Sequence, residues 1–177
     1  MFKGKKVELR SAEKSDAAAY YKIWNDCRTR EFLSPAGMFP QSMAEAEKLL
    51  ENIASPQRKD IACTFAITFK GKFIGLCGYD NRNTRAGTCS VSIMIAPAVW
   101  GKGLGTDAFF VLLKFLFGEL NVRKVQLSVF AEHKRAVACY KKLGFREEGL
   151  FKEQFYRDGG YHDELHMALF ARDASDI

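Results

Sequence analysis

The 177 residues contain no CxxC pair, no internal repeat, no low-complexity tract and no linker-like stretch. Five cysteines (27, 63, 77, 89 and 139) form an odd, scattered set. Cys63, Cys77, Cys89 and Cys139 lie in apolar-patterned segments and read as small buried hydrophobes, which points to a reducing compartment, the cytoplasm. Met1-Phe2-Lys3-Gly4-Lys5-Lys6 is not followed by an apolar run, so no signal peptide is expected. The longest apolar-rich run, Ala108 to Phe117, is broken by Lys114 and is too short to cross a bilayer. What is present is a sizeable core: 47% hydrophobic residues, 27% charged, and fifteen Phe. These values exclude a disordered chain and fit one domain, residues 1–177. Lys and Arg number 27 against 21 Asp and Glu, a net charge of +6. Such a surface suits a polyanionic partner, whether a phosphorylated cofactor, a nucleic acid or an anionic membrane, or simply confers solubility.

Val7 to Arg10 alternates as a strand, and Ser15-Asp16 offers a cap for a helix to about Asn25. Residues 26–40 hold Ser34-Pro35 and Phe39-Pro40 and read as mostly loop. Met43, Ala46, Leu49, Leu50 and Ile53 have helical spacing, ended by Pro56. Ile61 to Phe69 and Phe73 to Tyr79 read as two strands turned by Lys70-Gly71, followed by a polar loop from Asn81 to Gly87. Cys89, Val91, Ile93 and Ile95 form a third strand whose other face, Thr88, Ser90, Ser92 and Met94, is polar enough to line a cleft. A helix from about Gly103 to Gly118 is apolar nearly all round and therefore buried. A strand at Val125 to Val129, a helix from His133 to Leu143 ended by Gly144, and two strands joined by Asp158-Gly159-Gly160 complete the chain. The expected class is mixed α/β (α+β) around one central sheet.

The informative segment is Trp100-Gly101-Lys102-Gly103-Leu104-Gly105-Thr106, between a strand and the buried helix. The first N–H groups of a helix lack intrahelical partners and carry partial positive charge. Glycines let a phosphate approach the backbone, and Lys102 adds a full charge. The dinucleotide fingerprint fails because position 106 is Thr; the P-loop fails because Gly103 follows Lys102. A tight turn that binds nothing remains an alternative.

This turn resembles the signature of the GNAT superfamily, Arg/Gln-x-x-Gly-x-Gly/Ala, with Gly103 and Gly105 at its glycines and Trp100 where Arg or Gln is usual. Trp-Gly-Lys-Gly-x-Gly-Thr is similar to the branch of ribosomal-protein and spermidine N-acetyltransferases. Glu132 to Phe145, with Arg135-Ala136 and Tyr140, is similar to the family's second motif, Asn-x-Arg-Ala-x-x-x-Tyr-x-x-x-Gly-Phe. The resemblance implies a GNAT-like, mostly antiparallel sheet flanked by helices on both faces. It also implies an N-acetyltransferase that moves an acetyl group from acetyl-CoA to a primary amine by direct attack.

It implies that the amides of Gly101, Lys102, Gly103, Leu104, Gly105 and Thr106 hold the coenzyme A diphosphate. Met94, Ile95 and Ala96 would lie on a bulged, splayed strand that pairs with the pantetheine and offers an oxyanion donor near Ile95. His133 stands at the Asn that contacts the pantetheine, beside Ala136; a surface residue at a helix start is the alternative. Lys134, Arg135 and Lys142 add charge near the phosphates or are solvated. Tyr140 protonates the leaving thiolate, or packs as a core aromatic. Ser90 occupies the place of a Glu base and would orient the amine or a relay water, with Asp80 and Glu132 as substitutes. Glu31, Asp80 and Tyr156 are the acceptor-site residues, for a peptide N-terminus, a polyamine, an aminoglycoside or an amino sugar.

His162-Asp163-Glu164-Leu165-His166 superficially resembles a zinc motif, but the segment alternates as a strand. Residues four apart on a strand lie roughly 13 Å apart, so no metal is expected. The expected partners are acetyl-CoA and the amine acceptor, with neither DNA nor membrane, for a monomer or homodimer. The rival is a non-catalytic acyl-CoA sensor or ribosome/RNA-binding protein on the same fold.

Overall fold

The computed structural model describes residues 2–33, 39–55 and 60–174. Ser34-Pro35 and Pro56 lie outside them. The strands are β1 (Phe2–Lys3), β2 (Glu8–Ser11), β3 (Cys63–Phe69), β4 (Lys72–Asn83), β5 (Thr88–Ile95), β6 (Lys124–Phe130), β7 (Arg146–Arg157) and β8 (Gly160–Phe170). The helices are α1 (Ala17–Trp24), α2 (Cys27–Arg30), α3 (Met43–Ala54), α4 (Leu104–Gly118) and α5 (Lys134–Lys142). The strands form one sheet in the order β1-β2-β3-β4-β5-β6-β8-β7. Every neighbouring pair is antiparallel except β5 and β6.

Helices cover both faces because adjacent residues of β3 and β4 are both apolar. Ala66 and Leu76 pack with Tyr20 of α1 and Ala46 and Leu50 of α3. Their neighbours Ile67 and Cys77 pack on the other side with Leu104, Phe109, Leu112 and Leu116 of α4. Phe109, Leu112, Leu113 and Leu116 are wholly buried, as the all-round apolar character of α4 requires. Truncating one of these leucines to alanine costs about 2–5 kcal/mol in such surroundings.

Local sequence explains the ends of the elements. Ser42 and Glu45 form a reciprocal capping box at the start of α3: the Glu45 N–H donates to Ser42 Oγ at 3.2 Å, and the Ser42 N–H to Glu45 Oε2 at 2.7 Å. At the end of α5, Gly144 takes φ 92°, and the Phe145 N–H closes back on the Tyr140 carbonyl at 3.0 Å.

Three expectations change. Asp16 does not cap α1 with its side chain; its carboxylate accepts the Glu13 N–H at 2.9 Å and both terminal nitrogens of Arg10 at 2.8 and 2.7 Å. Residues 27–30, expected as loop, form α2, because Asp26 accepts the Arg28 N–H at 3.0 Å and starts a turn. The loop expected at Asn81 to Gly87 is shorter, because β4 continues to Asn83 through a register shift at Asn81, whose φ is 49°.

Candidate active site

The site begins where β5 and β6 part. They pair in parallel at Thr88–Lys124, Cys89–Val125 and Ser90–Gln126, and the pairing stops there. Past that point β6 keeps only β8, while β5 keeps β4 through Gly75–Ile95. The Ala96 N–H donates to the Ile74 carbonyl at 2.8 Å. The alternation of an antiparallel ladder then turns the backbone groups of Ile93 and Ile95 away from β4, towards the gap. The expected splay is therefore present. The expected bulge in β5 is not: the register with β4 is unbroken from Ser90 to Ile95, and the only shift in that pair lies between Asp80 and Asn83.

The gap opens into a cleft of about 400 Å³. Its floor is Ile93, Met94 and Ile95; one end is the turn Trp100, Gly101, Gly103, Leu104, Gly105 and Thr106; one wall is His133, Arg135, Ala136, Cys139, Tyr140 and Lys142 of the α5 region. Gly101 and Gly103 sit at φ 75° and 74°, a region that disfavours side chains. Gly103 stands at the N-cap of α4 with no side chain bonded to the helix amides, so these remain available to a ligand. A Cβ on Gly105 would stand 3.4 Å from Ile95 Cδ1 and fill the space between turn and floor.

Trp100 is held twice. Its Nε1–H donates to the Ile95 carbonyl at 2.7 Å, and the Arg135 guanidinium lies 3.6 Å from the ring centroid. Tyr140 meets Phe109 edge-on at 5.4 Å, and burial pushes its phenol well above the ordinary value, so it stays protonated at neutral pH. Burial, then the nearby Arg135 charge, lower the His133 imidazole to about 4, so it is neutral in the physiological range. Phe32, just after α2, stacks on that imidazole at 3.8 Å and 13°. Thr106 Oγ1 and Cys139 Sγ are 3.2 Å apart, and burial raises the thiol.

Of the residues expected at the cofactor, Met94, Ile95, Gly101, Gly103, Leu104, Gly105, Thr106, His133, Ala136 and Tyr140 line the cleft together. Ala96 and Lys102 do not; the Lys102 ammonium leans towards the Ala98 carbonyl at 3.5 Å. Ser90 sits at the vertex of the splay, directly across from Asp80. Five residues of strand, roughly 16 Å, separate it from Ile95, so its hydroxyl is not in direct reach of that amide. Burial raises the Asp80 carboxyl, and Asn81 Nδ2 donates to it at 2.8 Å. Glu31 is exposed at the end of α2, outside the lining, and Tyr156 is exposed on β7 against Tyr161. Met94, expected on a polar cleft-lining face, packs its side chain towards α1 and α3.

Arg28, Thr29, Phe32 and Leu33 also line the cleft; the resemblance implies a pocket wall from the segment of about Asp26 to Phe39, but which of its residues face the cleft was not legible, because no periodicity marks a four-residue helix. On the sheet face opposite α4, Asp80, Ser90, Gln126, Ser128, His166 and Glu164 fall in neighbouring register positions. His166 Nε2 lies 2.9 Å from Glu164 Oε2, with Phe151 against the ring at 4.2 Å. His162 pairs separately with Glu132 at 2.7 Å. Among the described residues no three His, Cys, Asp or Glu converge as metal ligands.

An acetyltransferase (GNAT) domain model matches residues 6–146. The chain belongs to the GNAT acetyltransferase family. Spermidine N(1)-acetyltransferase of Escherichia coli (strain K12) is 32% identical over 166 residues, 93% of this chain and 86% of that protein. A putative ribosomal N-acetyltransferase, YdaF of Bacillus subtilis (strain 168), is 24% identical over 173 residues, 94% of this chain and 92% of that one. Spermidine N-acetyltransferase from Vibrio cholerae in complex with CoA and spermine superposes with a TM-score of 0.83 at 25% identity, covering 97% of this chain and 99% of that one. RimL, a ribosomal L7/L12 alpha-N-protein acetyltransferase in complex with coenzyme A, superposes at 0.84 with 17% identity, over 94% of each chain, which speaks for the fold.

This GNAT protein is thus an acetyl-CoA-dependent N-acetyltransferase. Its glycine turn fits a diphosphate: the helix amides are uncapped, and Gly101 and Gly103 hold positive φ with no side chain over the mouth of the helix.

Proposed function

We propose that this enzyme acetylates a small cationic primary amine that approaches the sheet face opposite α4. The observation that carries this reading is the parting of β5 from β6 at Ser90–Gln126, which opens the Ile93–Ile95 edge above the uncapped start of α4. The amine nitrogen bonds to the thioester carbonyl carbon of acetyl-CoA, the C–S bond breaks, and coenzyme A leaves as a thiol. The amides of the 101–106 turn hold its diphosphate, and the freed edge of β5 pairs with its pantetheine arm. The Ile95 N–H points into the gap, suited to receive the carbonyl oxygen as it gains charge. Tyr140, kept protonated by burial, delivers a proton to the departing sulfur. Neutral His133 donates a hydrogen bond within the same cleft.

On the acceptor face, Asp80 and Glu164 are the carboxylates that attract an ammonium group, with Ser90, Gln126 and Ser128 between them. Asp80, raised by burial, is suited to take up a proton that reaches it past Ser90 along a chain of waters, since roughly 16 Å of strand separates that position from Ile95. Glu31 and Tyr156 fit less well, at the periphery of the cleft. The 32% identity to a spermidine acetyltransferase supports a small polyamine acceptor. The chain works as one domain, as a monomer or homodimer, and the cytoplasm suits its five free cysteines. Among the described residues no helix is long and apolar enough to cross a membrane.

Release of free thiol from acetyl-CoA, measured across polyamines, aminoglycosides and peptides with free N-termini, tests this reading. Turnover with spermidine or a similar di- or triamine is expected. Turnover with peptides alone would shift the acceptor class. Cofactor binding without turnover of any amine, accompanied by salt-sensitive RNA binding, would overturn the enzyme in favour of a sensor.

A further inference from the structure

The diphosphate turn receives a second cation from the far end of the chain. Asp107, in the first turn of α4, directs both carboxylate oxygens at the β1–β2 loop. They accept the N–H groups of Lys5 at 3.1 Å, Lys6 at 2.7 Å and Val7 at 2.9 Å. This three-point clamp fixes the backbone from which the Lys6 side chain departs. The Lys6 ammonium donates to the Lys102 carbonyl at 2.8 Å and lies 3.3 Å from where a Cβ on Gly103 would stand.

That placement concentrates positive charge. Lys6 brings its ammonium to the turn that carries the partial charge of the α4 N-terminus, and Lys102, whose own ammonium leans on the Ala98 carbonyl, belongs to the same turn. Asp107, the acid in the first turn of α4, is bonded to loop amides. Among the described residues neither ammonium has an ion-pair partner, whereas Lys3 in the same hairpin pairs with Glu8 at 3.4 Å. Like charges gathered without a counter-ion repel, and a bound anion relieves the repulsion. A neutral donor would satisfy the Lys102 carbonyl equally well, so that contact by itself does not call for a charge.

We propose that Lys6 is a phosphate-binding residue for coenzyme A, presented to the glycine turn by the Asp107 clamp. The proposal rests on the acetyl-CoA reading of the turn and adds to it a residue about a hundred positions away in sequence. The ammonium serves either the diphosphate or the 3′-phosphate, since both are anionic groups of one carrier.

Calorimetric titration of the full chain with coenzyme A and with 3′-dephospho-coenzyme A tests this. Lys6→Gln keeps a hydrogen-bond donor for the Lys102 carbonyl and removes only the charge. It is expected to weaken coenzyme A binding about fivefold at low salt, with the difference shrinking as salt screens the pair. Lys6→Arg should retain the affinity, and Lys114→Gln, an equal charge change on exposed α4 surface, should bind as wild type. A Lys6→Gln penalty that persists with the dephospho carrier assigns the diphosphate; a penalty that disappears assigns the 3′-phosphate. Wild-type affinity in Lys6→Gln overturns the proposal alone. So does a loss that ignores salt and accompanies a lower Tm, because that is a folding effect. Failure of the wild type to bind either carrier overturns the acetyl-CoA reading as well.

Discussion

Phe32 lies flat on the imidazole of His133, 3.8 Å between centroids and 13° from parallel. One ring follows the short helix α2, the other stands at the start of α5, and both line the cleft. The stack therefore ties α2 to the α5 wall of the cleft. It also keeps water from His133, whose imidazole is lowered to about 4 by burial first and by Arg135 second. An unfolded chain protonates this histidine near 6.5. Its contribution to stability is therefore complete above about pH 6.5 and is lost as the pH falls towards and through 4. Titration by NMR should give a midpoint near 4 in the wild type and a higher one in Phe32→Ala. A wild-type midpoint near 6.5 would show that the stack does not form.

Tyr140→Phe removes the phenol proton and leaves the ring against Phe109. General-acid catalysis is worth about a hundredfold at its lower end, so kcat should fall by about that factor with little change in acetyl-CoA affinity. Because burial raises the phenol, no loss of rate from Tyr140 ionisation is expected between pH 7 and 9. Wild-type turnover in the variant removes Tyr140 as the proton donor.

Gly103→Glu places a strained φ of 74° and a negative charge at the mouth of α4. The backbone strain costs about 1 kcal/mol, and the carboxylate repels a diphosphate. Coenzyme A binding should fall below detection by calorimetry while circular dichroism stays native. Unaltered affinity would relocate the phosphate site.

Asp16 is 5% exposed and accepts from Arg10 twice and from the Glu13 N–H. Burial pushes its carboxyl up, but these hydrogen bonds outweigh it and hold the group below its usual value. The stabilisation is present above the ordinary Asp range and is lost as the pH falls through the depressed value. Asp16→Asn should cost about 2 kcal/mol at pH 7 in urea unfolding, and less as the medium is acidified. A cost that does not change with pH would show that packing, not charge, anchors α1.

If the proposed acceptor face is right, Asp80→Asn should raise KM for the amine more than KM for acetyl-CoA, since Asp80 stands opposite Ser90 and outside the lining of the cleft. Steady-state kinetics with each substrate varied in turn checks this. Equal effects on both would remove Asp80 from acceptor binding.

Apart from β1 and α2, the amino-acid pattern alone determined the elements and the glycine turn, because these depend on near neighbours. Alternation marked β5, all-round apolarity marked α4, and Gly101-Lys102-Gly103 announced a tight turn, which the structure shows with positive φ at both glycines. Gly144 likewise marked the end of α5. The tertiary structure decided that β5 parts from β6 at Ser90–Gln126, which the sequence carried only through the family resemblance, since pairing between strands about 36 residues apart leaves no local trace. It also decided the stack of Phe32 on His133, the seat of Arg135 over Trp100 and the delivery of Lys6 by Asp107. These contacts join residues from separate elements. Their energies depend on distance in space and on solvent exclusion, neither of which is written into residue order until the chain has packed.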